Sequence, residues 1–253
     1  MNQGAKYNYY YQTFKNLIQI EVGIYENRVV MDINDKTMIC VPIFEKDYES
    51  VLRSSKESIE AGADLLELRI DAMDHPNPDN ISRIIKDINF PLIATNRKND
   101  EGGFFQGSES ERIEILLAAA KQADFVDIEL QTDEELMEEL IKACKSSIIS
   151  FHDFNKTPPV DVLLEVVKRE KMIGDIAKFA VMPQNLSDTL VVLDVLSQVN
   201  NTVGIAMGDI GKYTRVIAPV FGSPITFASL GNKSAPGQLN LRSTKTILAE
   251  LGI

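Results

Sequence analysis

The sequence predicts an α/β protein of the (β/α)8 barrel class, with a β-hairpin leading into it. Three observations carry that expectation. From about residue 37 onward, eight short apolar runs alternate with eight helix-like stretches. The chain has 253 residues, a length that eight strand–helix units commonly use for one domain. An open doubly wound sheet usually announces itself with a Gly-rich phosphate turn after its first strand. Neither G-x-G-x-x-G nor a P-loop occurs here.

The elements follow in order. Residues 1–12, rich in tyrosine, read as a tail without chemistry of its own. Residues 14–33 hold two partly alternating runs around Tyr25-Glu26-Asn27, which predicts the hairpin. Strands are expected at 37–44, 64–71, 91–97, 125–130, 147–153, 175–182, 202–207 and 224–228. Helices are expected at 47–61, 80–88, 110–122, 132–144, 157–171, 186–199, 211–220 and 239–251. Ser108 with Glu111, and Thr132 with Glu135, have capping-box spacing. Thr157-Pro158 reads as a cap followed by proline at the first helical position. No repeat, low-complexity tract or linker divides the chain, so a single domain over 1–253 is expected.

Composition narrows the function classes. The hydrophobic content of 44% and charged content of 25% suit a soluble domain with a sizeable core. A net charge of −11 argues against nucleic acid or an anionic membrane as partner. No apolar run is long enough to span a bilayer, and the N-terminus does not read as a signal peptide. Cys40 and Cys144 lie far apart and read as buried thiols in a reducing cytoplasm.

In a (β/α)8 barrel, polar residues at the C-terminal ends of the strands point into the active-site mouth. Lys178 lies inside the apolar run DIAKFAVMP at 175–183. A buried lysine gives up its proton more easily than an exposed one, and a free amine facing a pocket can form a Schiff base. A lysine whose stem lies on apolar neighbours while its head snorkels to water is the plain alternative. Glu67 and Arg69 are two apart and share a strand face, as do Thr95 and Arg97, with Glu101 in the loop beyond. His152 ends the fifth strand, Met207 ends the seventh, and Arg215 follows. Glu67/Arg69 can equally brace the barrel as an ion pair, and for Asp127/Glu129 bracing is the preferred reading. His75 reads as a surface histidine. With two histidines and no ligand-spaced cluster, a metal site is not expected. The segment SLGNKSAPGQ at 229–238 suits a mobile lid. An amine nucleophile, a histidine and three arginines together point to Schiff-base chemistry on a small, oxygen-rich carboxylate.

These residues sit in motifs that resemble the type I 3-dehydroquinate dehydratases. The motifs are DLLELRID at 64–71, EGG at 101–103, VDIEL at 126–130, SFHDFNKTP at 150–158, DIAKFAVMP at 175–183, IAMGDIGKYTR at 205–215, FGSPITFA at 221–228 and SAPGQ at 234–238. The resemblance runs from about residue 37 to the end. It implies a cytoplasmic, homodimeric (β/α)8 barrel without metal or organic cofactor, acting on 3-dehydroquinate. It also implies that Lys178 forms the imine, that His152 moves the proton, and that Glu101 orients His152. By the same resemblance Glu67, Arg69 and Arg97 hold substrate hydroxyls and shape the site. Arg215 binds the carboxylate, Met207 and Phe227 line the pocket, and Ser234 and Gln238 belong to the lid. Three positions depart from the pattern: Pro42 stands where some members have serine, Ile205 where some have methionine, and Thr214 where many have serine. Two rival readings remain: a Schiff-base aldolase or transaldolase, which would want a phosphate site on the last two loops, and a barrel that only binds a metabolite or protein.

Overall fold

A computed structural model of the chain describes residues 37–231 and 235–253. The expected tail and hairpin, and Ser234 of the expected lid, lie outside the described residues. The elements are β1 (Met38–Ile43), α1 (Tyr48–Glu60), β2 (Leu65–Arg69), α2 (Pro78–Ile88), β3 (Leu92–Thr95), α3 (Glu109–Ala120) and β4 (Phe125–Glu129). They continue with α4 (Glu134–Ala143), β5 (Ser146–Asp153), α5 (Val160–Ile173), β6 (Ile176–Val181), α6 (Leu186–Gln198) and β7 (Thr202–Ala206). Two short helices, α7 (Gly208–Gly211) and α8 (Thr214–Ile217), precede β8 (Ile225–Ser229), β9 (Leu239–Asn240) and α9 (Leu241–Glu250).

Every strand pair is parallel, in the order β7-β6-β5-β4-β3-β2-β1-β8-β9. The sheet curls, and residues of β2, β5, β6 and β8 face one another across a single pocket. The expected full closure is not made by hydrogen bonds, because β7 and β8 are not bonded neighbours. At that seam the N–H of Ala206 donates to Thr214 Oγ1 at 3.2 Å, and Thr226 Oγ1 donates to the carbonyl of Arg215 at 2.5 Å. Residues of α8 thus take polar groups that β7 and β8 would otherwise offer each other.

Strand period two sorts the core. Leu65, Ile93, Phe125, Ile148, Ile176, Val203 and Ile225 point inward and form one cluster. Their alternates, such as Leu66, Ala94, Val126 and Ile149, pack outward against the helices. Phe179 and Val181 do the same in a third cluster with Val192 and Leu196 of α6. With both faces covered, the strands read as nearly continuous apolar runs rather than as strict alternation.

Most helices begin where the sequence offers a cap. Asp47 accepts from Ser50 N–H, Asn77 precedes Pro78, and Ser108 and Glu111 complete the expected capping box. Two expected caps are corrected. Asp133, not Thr132, caps α4, because the Thr132 hydroxyl accepts from the buried Arg112 at 3.2 Å. Helix α5 starts at Val160 after Pro159, not at Thr157-Pro158. A residue before proline is pushed out of helical backbone, so Pro158 cannot open the helix when Pro159 follows it. The last expected helix also loses its first two residues, which form β9 beside Ala228 and Ser229. The expected helix at 211–220 is broken into α8 and a 3-10 turn at Ala218–Phe221. Among the described residues, no helix is long and apolar enough to cross a membrane.

Leu116 of α3 is fully buried within the outer core. Leu116→Ala is expected to cost about 3 kcal/mol in chemical denaturation. A loss below about 1 kcal/mol would mean that α3 does not pack on the sheet as described.

Candidate active site

On β2 to β6 the inward positions one step above the apolar layer are polar: Glu67, Thr95, Asp127, Ser150 and Lys178. They are all buried, so their polar atoms must satisfy one another. Lys178 is 5% exposed and donates from Nζ to Asp127 Oδ2 at 2.8 Å. Glu67 Oε1 stands 3.8 Å from the same nitrogen and accepts from Thr95 Oγ1 at 2.9 Å. The Phe227 ring lies under the amine, its centroid 4.6 Å from Nζ, in cation–π range.

Arg97 holds Asp127 from the other side. Its Nη2 lies 2.7 Å from Asp127 Oδ1, and its Nη1 donates to Glu129 Oε1 at 2.9 Å and to Ser150 Oγ at 2.7 Å. Glu129 in turn faces Arg112, whose Nη1 lies 2.9 Å from Oε2 but off the hydrogen-bond direction. Arg112 reaches the rim of the fold through two bonds to Glu109. Burial alone would raise the Asp127 carboxyl, but Arg97 and Lys178 outweigh it and hold the group well below the usual carboxylate range. Burial also works against the Arg97 charge, and Asp127 and Glu129 more than offset that.

Glu101 ends a 3-10 turn at Asn99–Glu101, which swings its side chain toward β5. Its Oε2 accepts from the backbone N–H of His152 at 3.0 Å and lies 2.9 Å from His152 Nδ1. With Nδ1 engaged, Nε2 is the ring nitrogen left for a ligand. Burial, followed by the charge of Glu129, pushes the Glu101 carboxyl up to about 8. Burial, with Arg97 and Lys178 adding to it, pushes the His152 imidazole well below its ordinary value.

Arg215 is 3% exposed, and among the described residues no carboxylate stands within ion-pair distance of it. Its Nη2 donates to the carbonyl of Pro236 at 3.0 Å, while Nε has no partner. Burial lowers its pKa to about 10. The Pro236 carbonyl also accepts from Gly208 N–H at 3.3 Å. Gly237 has φ +76°, and a Cβ there would stand 2.2 Å from the Gly208 carbonyl oxygen. Glycine at 237 therefore lets this segment press onto β7's end and bring Gln238 into the pocket.

One pocket gathers Glu67, Arg69, Arg97, Glu101, His152 and Lys178 with Met207, Arg215, Phe227 and Gln238. Every expected site residue within the described part of the chain is there. Several expected relations differ. Glu67 and Arg69 do not pair; Arg69 is instead held in a fork by Asp71, at 2.9 Å and 2.7 Å. Of the three arginines read as available for a ligand, Arg69 and Arg97 already face carboxylates. Lys178 is buried as expected, yet it is held by a carboxylate rather than left alone among apolar neighbours. Asp127 and Glu129 do brace the barrel, but Asp127 also grips the lysine. His75 is exposed, and both cysteines are buried, as expected. The sequence reading missed Gly102, Phe154, Ala180 and Ala235, which also line the pocket. Each lies within two residues of a residue it had singled out, or inside the expected lid, and that nearness was the available signal.

Comparison with known proteins identifies relatives of the whole described fold. The family described as Type I 3-dehydroquinase matches residues 39–253. A 3-dehydroquinate dehydratase of Methanothermobacter thermautotrophicus is 54% identical over 215 residues, covering 85% of this chain and 97% of that protein. The protein of the same name from Methanobrevibacter smithii is 49% identical, over 84% of this chain and 95% of its own. Among solved structures, the 3-dehydroquinate dehydratase of Geobacillus kaustophilus is similar with a TM-score of 0.78 at 29% identity, over 86% of this chain and 91% of that one. The type I enzyme of Clostridium difficile, solved with covalently modified comenic acid, gives a TM-score of 0.80 at 28% identity, over 85% and 92%. The chain belongs to the type I 3-dehydroquinase family, the lyases that dehydrate 3-dehydroquinate.

Proposed function

We propose that the pocket performs this dehydration, a step of the shikimate route to aromatic amino acids, through an imine on Lys178, with His152 as general acid–base and Glu101 orienting it. The observation that carries the reading is the meeting of three groups in one pocket: a buried amine, an imidazole with its own carboxylate, and an arginine without a counter-ion. Arg215 is a buried positive charge that an anionic ligand would complete, and a guanidinium matches a carboxylate bidentately. Bound there, the ring of 3-dehydroquinate would present its ketone to Nζ.

The steps balance with these residues alone. The Lys178 amine passes a proton to His152 and attacks the ketone carbon; His152 returns that proton to the hydroxyl of the adduct, which leaves as water, and the adduct becomes a protonated imine. That cation draws electron density from the neighbouring C–H bond, so His152 can take the proton as an enamine forms. The enamine pair then expels the hydroxyl one carbon further, and His152 returns its proton so that the group leaves as water. A second water hydrolyses the imine, releasing the conjugated enone and the free amine. Glu67, Arg69 and Arg97 meet substrate hydroxyls at one side, while Met207 and Phe227 cover the apolar ring face. Gln238 lines the pocket from the segment before β9, and Ser234 is proposed to meet the substrate. The same proposal includes a fully closed single (β/α)8 barrel, a homodimer, a cytoplasmic setting and no cofactor.

Incubation with 3-dehydroquinate and borohydride, followed by peptide mass mapping, is expected to leave a reduced adduct on Lys178 while enone absorbance rises in parallel. Lys178→Ala should abolish both signals with the fold kept; turnover at the wild-type rate would refute the imine. Arg215→Ala should raise KM or Kd at least tenfold while moving Tm little, and unchanged binding would place the carboxylate elsewhere. Glu101 carries a pH signature. Its carboxyl keeps a proton up to about 8 in the folded chain, against an ordinary value of 4.5. The stability present at acid pH is therefore drawn down as pH rises through that window. Glu101→Gln cannot ionise, so its Tm should gain on the wild type from about pH 5 to about pH 9. A constant Tm difference across that range would mean that Glu101 is ionised throughout.

A further inference from the structure

We propose that Phe154 is a positioning residue for His152: its ring, seated on Gly102, walls the His152–Glu101 pair off from water at the pocket mouth and holds the imidazole plane. The inference rests on the proton-transfer reading of His152 for its consequence in the reaction, but not for its geometry.

Five observations support it. The Phe154 and His152 rings lie 20° from coplanar, with centroids 6.4 Å apart, within the range of aromatic pairs. Phe154 is 39% exposed, a large apolar ring left at the rim of a pocket rather than placed in the core. His152, directly beneath that rim, keeps a side chain only 9% exposed. Gly102 has φ +79°, and a Cβ there would stand 2.4 Å from Phe154 Cζ. Any other residue after Glu101 would therefore push the ring away, so the turn that delivers the carboxylate also makes the seat. The backbone under Phe154 is itself fixed: Asp153 Oδ1 accepts from the N–H groups of Asn155 at 2.8 Å and Lys156 at 3.1 Å.

The charges acting on His152 come from elsewhere: Arg97 just beyond β3, Lys178 on β6, Asp127 on β4 and Arg69 on β2, while the Glu101 carboxyl meets Nδ1. None of them belongs to Phe154. Removing the ring thus changes water access to the imidazole while leaving the charges in place. Burial is the largest influence holding the imidazole low, so hydration should let it take a proton more easily.

The chain has two histidines, and the exposed His75 serves as an internal reference. NMR titration of histidine-labelled full-length protein would compare the wild type with Phe154→Ala and Phe154→Leu. The His152 midpoint is expected to rise by about one unit or more in Phe154→Ala. Phe154→Leu, which still covers the ring, should stay closer to the wild type, and His75 should not move. A His152 titration in Phe154→Ala identical to the wild type would overturn the inference. The acid limb of kcat/KM should move up with the NMR midpoint. If the midpoint moves and the limb does not, the wall stands and His152 is removed from proton transfer.

Discussion

The carboxylate of Asp127 is the group on which the interior depends. It lies in the middle of a parallel sheet, out of reach of water, and would be prohibitively costly there as a lone charge. Arg97 and Lys178 make it tolerable, one on each oxygen, at 2.7 Å and 2.8 Å. Each partner is itself buried, so the requirement passes outward. Arg97 needs Glu129, Glu129 needs Arg112, and Arg112 reaches Glu109 at the rim. A buried charge network of this kind adds little net stability over an apolar core, but losing one member strands the others. Its consequence is geometric: the Lys178 amine is held at one place in a pocket that also contains His152.

Against that balanced interior, Arg215 stands out. It is as buried as Arg97, but among the described residues no carboxylate stands beside it and its Nε has no partner. That imbalance is the ground for proposing Arg215 as the anion-binding group. The segment around Pro236 and Gly237 meets Arg215 through the Pro236 carbonyl, which accepts from Nη2 at 3.0 Å.

Local chemistry made much of this legible in advance. Apolar runs bounded by turn residues located the eight inner strands, since both faces of each strand are covered. Asp47 and the Ser108/Glu111 pair set helix starts that no packing has to impose, whereas the helix expected from residue 80 begins at Pro78 behind Asn77, a cap the sequence reading did not use. Two of the expectations that failed did so where another side chain competed for the same group. Thr132 has the spacing of a cap, but Arg112, twenty positions earlier, takes its hydroxyl. Glu67 and Arg69 share a strand face, yet Asp71 offers Arg69 a planar fork and Thr95 occupies Glu67.

The sequence by itself determined the order of strands and helices, and which face of each strand turns inward. It also determined which polar residues stand at the strand ends, because each of these follows from periodicity and backbone preference over a few residues. Only the tertiary structure decided how those polar groups divide into pairs: Asp127 to Lys178, Asp71 to Arg69 and, among the described residues, no carboxylate to Arg215, while the Glu101–His152 pair had already been implied by the resemblance. The physical reason is that an ion pair depends on distances of a few ångströms between side chains that can be fifty positions apart in the chain. Burial makes those distances decisive. In water the same groups would be interchangeable, whereas inside the sheet each charge must have one partner in reach or be left for a ligand.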